Sequence, residues 1–237
     1  MSGGIREIKS NLQAVHEKIA AACAKANRAE SDVTLVAVSK LKPIESVMAA
    51  SDAGQMVFGE NYVQEAVDKV AQLPGLQWHF VGTMQTNKIK QTAGKFKLIH
   101  SVDREKAAQE ISKVSVAAGV VQDILLQIHI GDEASKQGVL FYEAPAIIES
   151  ILELPNLRLR GLMTLPPLTP DETKARSQFA LLRTSLEKWR DKYISHKEKA
   201  HFNELSMGTS LDYEWAILEG ATLVRIGTSI FGERSET

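Results

Sequence analysis

Apolar residues fall at Ile5, Ile8, Leu12, Val15, Ile19 and Ala22, a spacing that predicts a helix over Ile5–Asn27. The period then shortens. Val33–Ser39 is a compact apolar run, rich in β-branched residues and followed by Lys40, which predicts a buried strand. Pro43 suits the first turn of a helix running to Ala53. From there short apolar runs and longer amphipathic segments take turns. Further strands are predicted at Met56–Gly59, Trp78–Gly82, Lys97–Val102, Asp123–Ile130, Leu157–Thr164, up to Met207, and at Thr222–Gly227. Helices are predicted at Tyr62–Leu73, Asn87–Ala93, from a cap at Asp103 to Ala118, and at Tyr142–Leu154, with Pro145 in the first turn. Asp171–Tyr193 and Asp212–Glu219 complete the set, with a polar loop over Gly131–Gly138 and a rigid one over Pro166–Pro170.

Strand and helix alternate about eight times, and parallel strands need such crossovers. The expected fold is a (β/α)8 TIM-type barrel with an extra N-terminal helix, residues 1–237 forming a single domain. An open doubly wound sheet is the alternative, but no glycine-rich turn follows the first strand. The formal net charge of -1 gives no global attraction to nucleic acid or to an anionic membrane, so neither is an expected partner. Cys23 is the sole cysteine, which excludes an internal disulfide framework and points to a reducing compartment. No run approaches the roughly 20 apolar residues of a membrane span. A cytoplasmic protein is expected, and as a barrel of this size can be stable alone, a monomer.

A barrel gathers its strand C-termini into one mouth. The polar residues expected there are Lys40, Glu60, Asn61, Thr83, Ser101, Thr164, Ser206, Ser210, Arg225 and Thr228. A lysine after a strand is ordinarily a solvated loop charge. At a barrel mouth beside apolar walls it can instead form a Schiff base with an aldehyde. Ser206-Met207-Gly208-Thr209-Ser210 and Gly227-Thr228-Ser229 follow the seventh and eighth strands, where barrels commonly hold phosphate. Turn chemistry alone also explains these glycines and serines. Arg225 interrupts an apolar strand and needs a partner, either an ion pair with a neighbouring strand or a ligand. An imine-forming lysine, a phosphate cradle and a cation match the aldehyde, phosphate and ring nitrogen of pyridoxal phosphate. A Schiff-base aldolase acting on a sugar phosphate would use the same lysine and cradle.

Val38-Ser39-Lys40, Phe58-Gly59-Glu60-Asn61-Tyr62-Val63-Gln64-Glu65, Trp78-His79-Phe80-Val81-Gly82, Gln85-Thr86-Asn87-Lys88, Gly161-Leu162-Met163-Thr164, Leu205-Ser206-Met207-Gly208 and the run from Val224 to Gly232 occur in that order. Together they resemble the pyridoxal phosphate homeostasis protein family. The resemblance implies a barrel similar to the N-terminal domain of alanine racemase, with pyridoxal 5'-phosphate held as an internal aldimine on Lys40. It implies that Arg225 faces the pyridine nitrogen, that Ser206, Gly227 and Thr228 hold the phosphate with Ser210 close by, and that Asn61 lines the site. The family is regarded as a carrier or regulator of vitamin B6 balance. Two positions depart from its pattern, Thr209 in place of methionine and His129 in place of asparagine.

Racemisation needs two positioned acid/base groups, one on each face of the substrate carbon. In alanine racemase the second is a tyrosine from a further domain of the partner subunit. The chain ends at Thr237, soon after the eighth strand, so that domain is expected to be absent. The expected protein is therefore a non-catalytic carrier serving pyridoxal-phosphate-dependent apoenzymes. A low-activity amino-acid racemase is the alternative. Lys42, Lys88 and Lys136 are read as ordinary solvated charges, with a part in loading and release left open.

Overall fold

Eight parallel strands close into a barrel in chain order: β1 (Thr34–Val38), β2 (Val57–Glu60), β3 (Gln77–Phe80), β4 (Leu98–Val102), β5 (Gln122–Gln127), β6 (Leu157–Met163), β7 (Ala200–Ser206) and β8 (Leu223–Ile226). The structure is a computed structural model that describes residues 2–131, 137–196 and 200–233. Helices follow the strands on the outside: α2 (Ile44–Asp52), α3 (Val63–Gln72), α4 (Glu105–Ala118), α5 (Ala144–Glu153), α6 (Glu172–Lys192), α7 (Tyr213–Leu218) and the short α8 (Thr228–Phe231). A 3-10 turn, Thr86–Gln91, fills the helical position after β3. The expected barrel is thus the observed one, and its last strand pairs with its first from Thr34↔Leu223 to Ala37↔Ile226.

The extra helix α1 (Ser2–Lys25) buries Ile8, Leu12, Val15, Ile19 and Ala22 on one face, as the spacing requires. It packs outside the barrel against α2, α7 and α8, and Asn11 Nδ2 donates to Ile230 O at 3.1 Å. Cys23 lies on that buried face, and burial raises its thiol pKa, which suits a packing residue better than a nucleophile. Among the described residues no helix is long and apolar enough to cross a membrane.

The strands of a closed barrel are covered on both sides, by side chains within and helices without. Accordingly β4 and β5 are buried at every position. Several ends differ from the sequence reading. The first strand does end at Val38 with Lys40 after it, as read, but Gly227 lies just beyond β8, where the chain leaves the ladder to form the mouth. Asp171 caps α6 as expected, accepting from Lys174 N at 3.2 Å. Asp103 does not cap α4. Arg104 occupies the N-cap, and its guanidinium takes the Asp103 carboxylate at 2.5 Å, so that carboxylate is drawn away from the helix amides.

The ladder between β6 and β7 is irregular. Leu159 pairs with Ala200 but Gly161 pairs with Glu204, so β7 bulges over residues 201–203. Phe202 in that bulge has φ +44, and its ring stacks on Tyr193 at 6.1 Å between centroids. Gly161, φ +156, allows the two backbones to approach: a Cβ there would stand 2.0 Å from Glu204 O.

Candidate functional site

The β1–β8 pairing brings together residues nearly 190 positions apart in the chain. Lys40, half-buried, follows β1, and Arg225, Gly227 and Thr228 lie on β8 or directly after it. Gly227 sits against β1 closely enough that a Cβ would meet Val38 O at 3.2 Å. Ser210 Oγ accepts from the backbone amides of Gly227 and Ser229, at 3.2 and 3.4 Å, at the start of α8. These amides and hydroxyls have the chemistry of an anion cradle. The Gly208 turn, φ +90, lets the chain pass α7, where a Cβ would stand 2.8 Å from Tyr213 Cα.

Arg225 is 95% buried, and among the described residues no carboxylate pairs with it. The ion pair considered as one explanation is therefore not found there. Its Nη1 donates to Ser206 Oγ at 2.5 Å and its Nη2 to Thr164 O at 2.8 Å, both neutral acceptors. Burial lowers its pKa to about 10, a shift that Asp212 opposes, so it remains a cation at neutral pH. Ser206 Oγ also meets His100 Nδ1 at 2.7 Å and is fully buried. Among the described residues no hydrogen bond joins the Ser206 side chain to the Gly227–Ser229 amides; Ser210 is the hydroxyl found there.

A second buried cluster frames Lys40. Lys69 Nζ on α3 donates to Ser39 O at 2.7 Å, to Glu60 Oε1 at 2.7 Å and to Glu65 Oε1 at 2.8 Å. Ser39 Oγ donates to Glu60 Oε1 at 2.6 Å, and Leu41 N donates to Glu65 Oε1 at 2.8 Å. The residues on either side of Lys40 are thus held by one ion cluster, and Leu41 takes the left-handed φ of +58. Burial raises the Glu60 pKa, and the Lys69 ammonium opposes that rise. Sequence reading placed Glu60 at the mouth but missed Lys69. The i,i+4 spacing of Glu65 and Lys69 was the available signal.

Three polar atoms at strand ends are buried with no hydrogen-bond partner among the described residues: Glu60 Oε2 at the end of β2, Asn61 Oδ1 just after it and His129 Nε2 after β5. Orphaned atoms of this kind suit a polar ligand. Thr209 Oγ1 donates to Asp212 Oδ1 at 3.0 Å, so its hydroxyl is already engaged ahead of α7. Lys42 is not an ordinary solvated charge. Its Nζ donates to Phe231 O at 2.9 Å and Glu233 O at 2.8 Å, tying the β1–α2 loop to the end of α8. Lys136 lies outside the described residues.

His79 on β3 is 96% buried, and its pKa is lowered from 6.5 to about 4, by burial first and Lys97 second. The unfolded chain therefore takes a proton near pH 6.5 while the folded protein resists until near pH 4, so stability falls as pH drops through that window. From pH 7 to pH 5 His79 alone is expected to remove about 2 kcal/mol, and His100 acts in the same direction. Urea unfolding at both pH values checks this, with His79→Gln giving the flatter profile. The raised Glu60 acts oppositely but equally in both proteins.

The chain matches the alanine racemase N-terminal domain family over residues 10–235. The pyridoxal phosphate homeostasis protein of Vibrio cholerae is 40% identical over 236 residues, covering 97% of this chain and 98% of that protein. The PipY protein of Synechococcus elongatus, solved with pyridoxal phosphate bound, is 33% identical with a TM-score of 0.78, covering 90% of this chain and 100% of that one. Alanine racemase of Corynebacterium glutamicum, 11% identical with a TM-score of 0.65 over 97% of this chain and 61% of its own, shares the fold. By its barrel, its length and its identity to these relatives, the chain belongs to the pyridoxal phosphate homeostasis protein family within the alanine racemase N-terminal domain group.

Proposed function

We propose that this protein binds pyridoxal 5'-phosphate at the barrel mouth and serves vitamin B6 balance as a carrier or regulator. The observation that carries the reading is the meeting of Lys40, the Ser210–Gly227–Ser229 cradle and a buried Arg225, which makes no ion pair among the described residues, at the paired ends of β1 and β8. The bound cofactor in PipY supports it. When bound, the cofactor supplies an aldehyde for reversible imine formation and a ring that can withdraw electrons. Lys40 is the residue whose amine would hold the cofactor through that aldehyde. Gly227, Thr228 and Ser210 hold the phosphate, and Asn61 lines the pocket. Arg225 faces the ring nitrogen, where its positive charge opposes protonation. That weakens electron withdrawal and favours carriage over turnover.

Ser206 falls outside the phosphate contacts in this reading, because its hydroxyl serves Arg225 and His100. Lys40 and Gly227 are half-buried and Thr228 is exposed, so the cofactor stays within reach of incoming amines. We place the protein in the cytoplasm as a single-domain monomer that delivers the cofactor to apoenzymes depending on it. A weak racemase is the second reading. His129 Nε2, without a partner among the described residues, favours it, since a second proton-carrying group near the mouth is what racemisation requires.

The absorption spectrum before and after borohydride, with mass mapping of the reduced protein, tests these assignments. The purified protein with added cofactor is expected to show a band that borohydride bleaches, with the pyridoxyl mass on Lys40. Lys40→Ala is expected to show neither. A colourless wild type that takes up no cofactor would sink the reading. Sustained racemisation by wild type, lost in both Lys40→Ala and His129→Gln, would replace the carrier with the racemase.

A further inference from the structure

A line of hydrogen bonds crosses the barrel interior beneath Arg225. His79 Nδ1 on β3 meets His100 Nε2 on β4 at 2.9 Å. His100 Nδ1 meets Ser206 Oγ at the end of β7 at 2.7 Å, and Ser206 Oγ accepts from Arg225 Nη1 at 2.5 Å. All four residues are at least 95% buried. The outer end, His79, lines a cavity of about 160 Å³ at the N-terminal side of the barrel, with Lys97, Asp123, Arg160 and Glu204.

The direction of the line follows from which groups can donate. A guanidinium only donates, so Ser206 Oγ is its acceptor. If the Ser206 hydroxyl then donates to His100 Nδ1, His100 carries its proton on Nε2 and donates to His79 Nδ1. His79 is left with its proton on Nε2, at the polar cavity. Within the line, Arg225 Nη1, Ser206 Oγ and His100 Nε2 then each donate to the next member, and the remaining His79 Nε2–H faces the cavity. In the reverse arrangement His100 Nδ1 donates to Ser206, and among the described residues the Ser206 proton has no further acceptor. An unsatisfied buried donor is costly, so the first arrangement prevails.

We propose that His79 and His100 are positioning residues for the ring nitrogen of the cofactor, acting through Ser206 to hold Arg225 as a cation with only neutral acceptors. This rests on the cofactor reading above. Had a carboxylate held Arg225, its charge would be largely cancelled. The neutral line fixes the guanidinium and leaves the charge intact. It also draws the Ser206 proton away from the mouth, so that hydroxyl offers the ring nothing to take.

The test compares wild type, His100→Phe and His100→Asn by pyridoxal phosphate titration, reading affinity and the position of the absorption band. His100→Phe removes both bonds and is expected to weaken uptake about tenfold and to move the band. His100→Asn keeps an acceptor for Ser206 and is expected to restore most of both. A merely structural role would lower thermal stability without moving the band. A folded His100→Phe with unchanged band and affinity within about twofold overturns the inference while leaving the cofactor reading standing. A wild type that takes up no cofactor overturns both. Should His100→Phe fail to fold, nitrogen NMR of wild-type histidines decides. The expectation is His100 protonated at Nε2 and bare at Nδ1, and the opposite tautomer overturns the inference.

Discussion

Lys69→Met is expected to lose about 3–5 kcal/mol at pH 7, the range for removing one partner of a buried ion pair. The side chain is 7% exposed and those of Glu60 and Glu65 are 0% and 20%, so water compensates little. Without the ammonium, two carboxylates converge on the Ser39–Leu41 segment with no cation between them. The deficit should shrink as pH falls, because burial already raises the Glu60 pKa and its neutral form is tolerated. Lys69→Met combined with Glu60→Gln should recover more than half of the loss, since no buried charge is then left at that position. The same cluster holds the backbone on both sides of Lys40. Cofactor uptake by folded Lys69→Met should therefore fall by roughly ten- to hundredfold, as misplaced reacting groups do. Urea unfolding and cofactor titration read the two effects. A single variant within about 1 kcal/mol of wild type would mean that the carboxylates find water and that the clamp is not needed.

Gly161→Ala is expected to cost roughly 3–5 kcal/mol, combining overpacking with backbone strain. The obstacle is backbone and cannot move aside as a side chain would. A Cβ at this position stands 2.0 Å from Glu204 O and 2.8 Å from Glu204 C. Relief requires β6 and β7 to separate where β7 already bulges, and Ser206 lies only two residues beyond Glu204. Loss of stability should thus be accompanied by loss of the contacts from Ser206 to His100 and Arg225. Thermal unfolding measures the first, and a shift of the histidine resonances measures the second. A variant as stable as wild type would show that the ladder can open there without penalty.

The alternation of elements was legible because a switch between periods of two and 3.6 needs only local sequence. The strand ends were not, because pairing decides which residue leaves the ladder. Asp103 reads as a cap by type and position, yet the neighbouring Arg104 guanidinium claims its carboxylate. Lys42 reads as solvated until the fold brings residues 231 and 233 against it. Lys40, Arg225 and the glycine–serine loops could be picked out because a polar residue in or after an apolar run is visible in one dimension. His79 and His100 carried a similar signal, each a histidine flanked by an apolar residue within a largely apolar strand. What sequence could not show is that the two touch each other and then Ser206. That depends on neighbours across the barrel interior, which no local period encodes.

The pairing of first strand with last has a kinetic side. Contacts such as Thr34↔Leu223 close a loop of most of the chain, and contacts so distant in sequence form slowly. Lys40 follows one of these strands, and Arg225 and Gly227 belong to the other or its end. Until the ring closes, the lysine and the cradle are on separate pieces of chain, and a ligand that needs both finds no complete site. A ligand that binds only the closed ring shifts the balance toward closure in proportion to its excess over the dissociation constant. Assembly of the pocket is thus tied to closure of the barrel, and the ligand that fills the one stabilises the other.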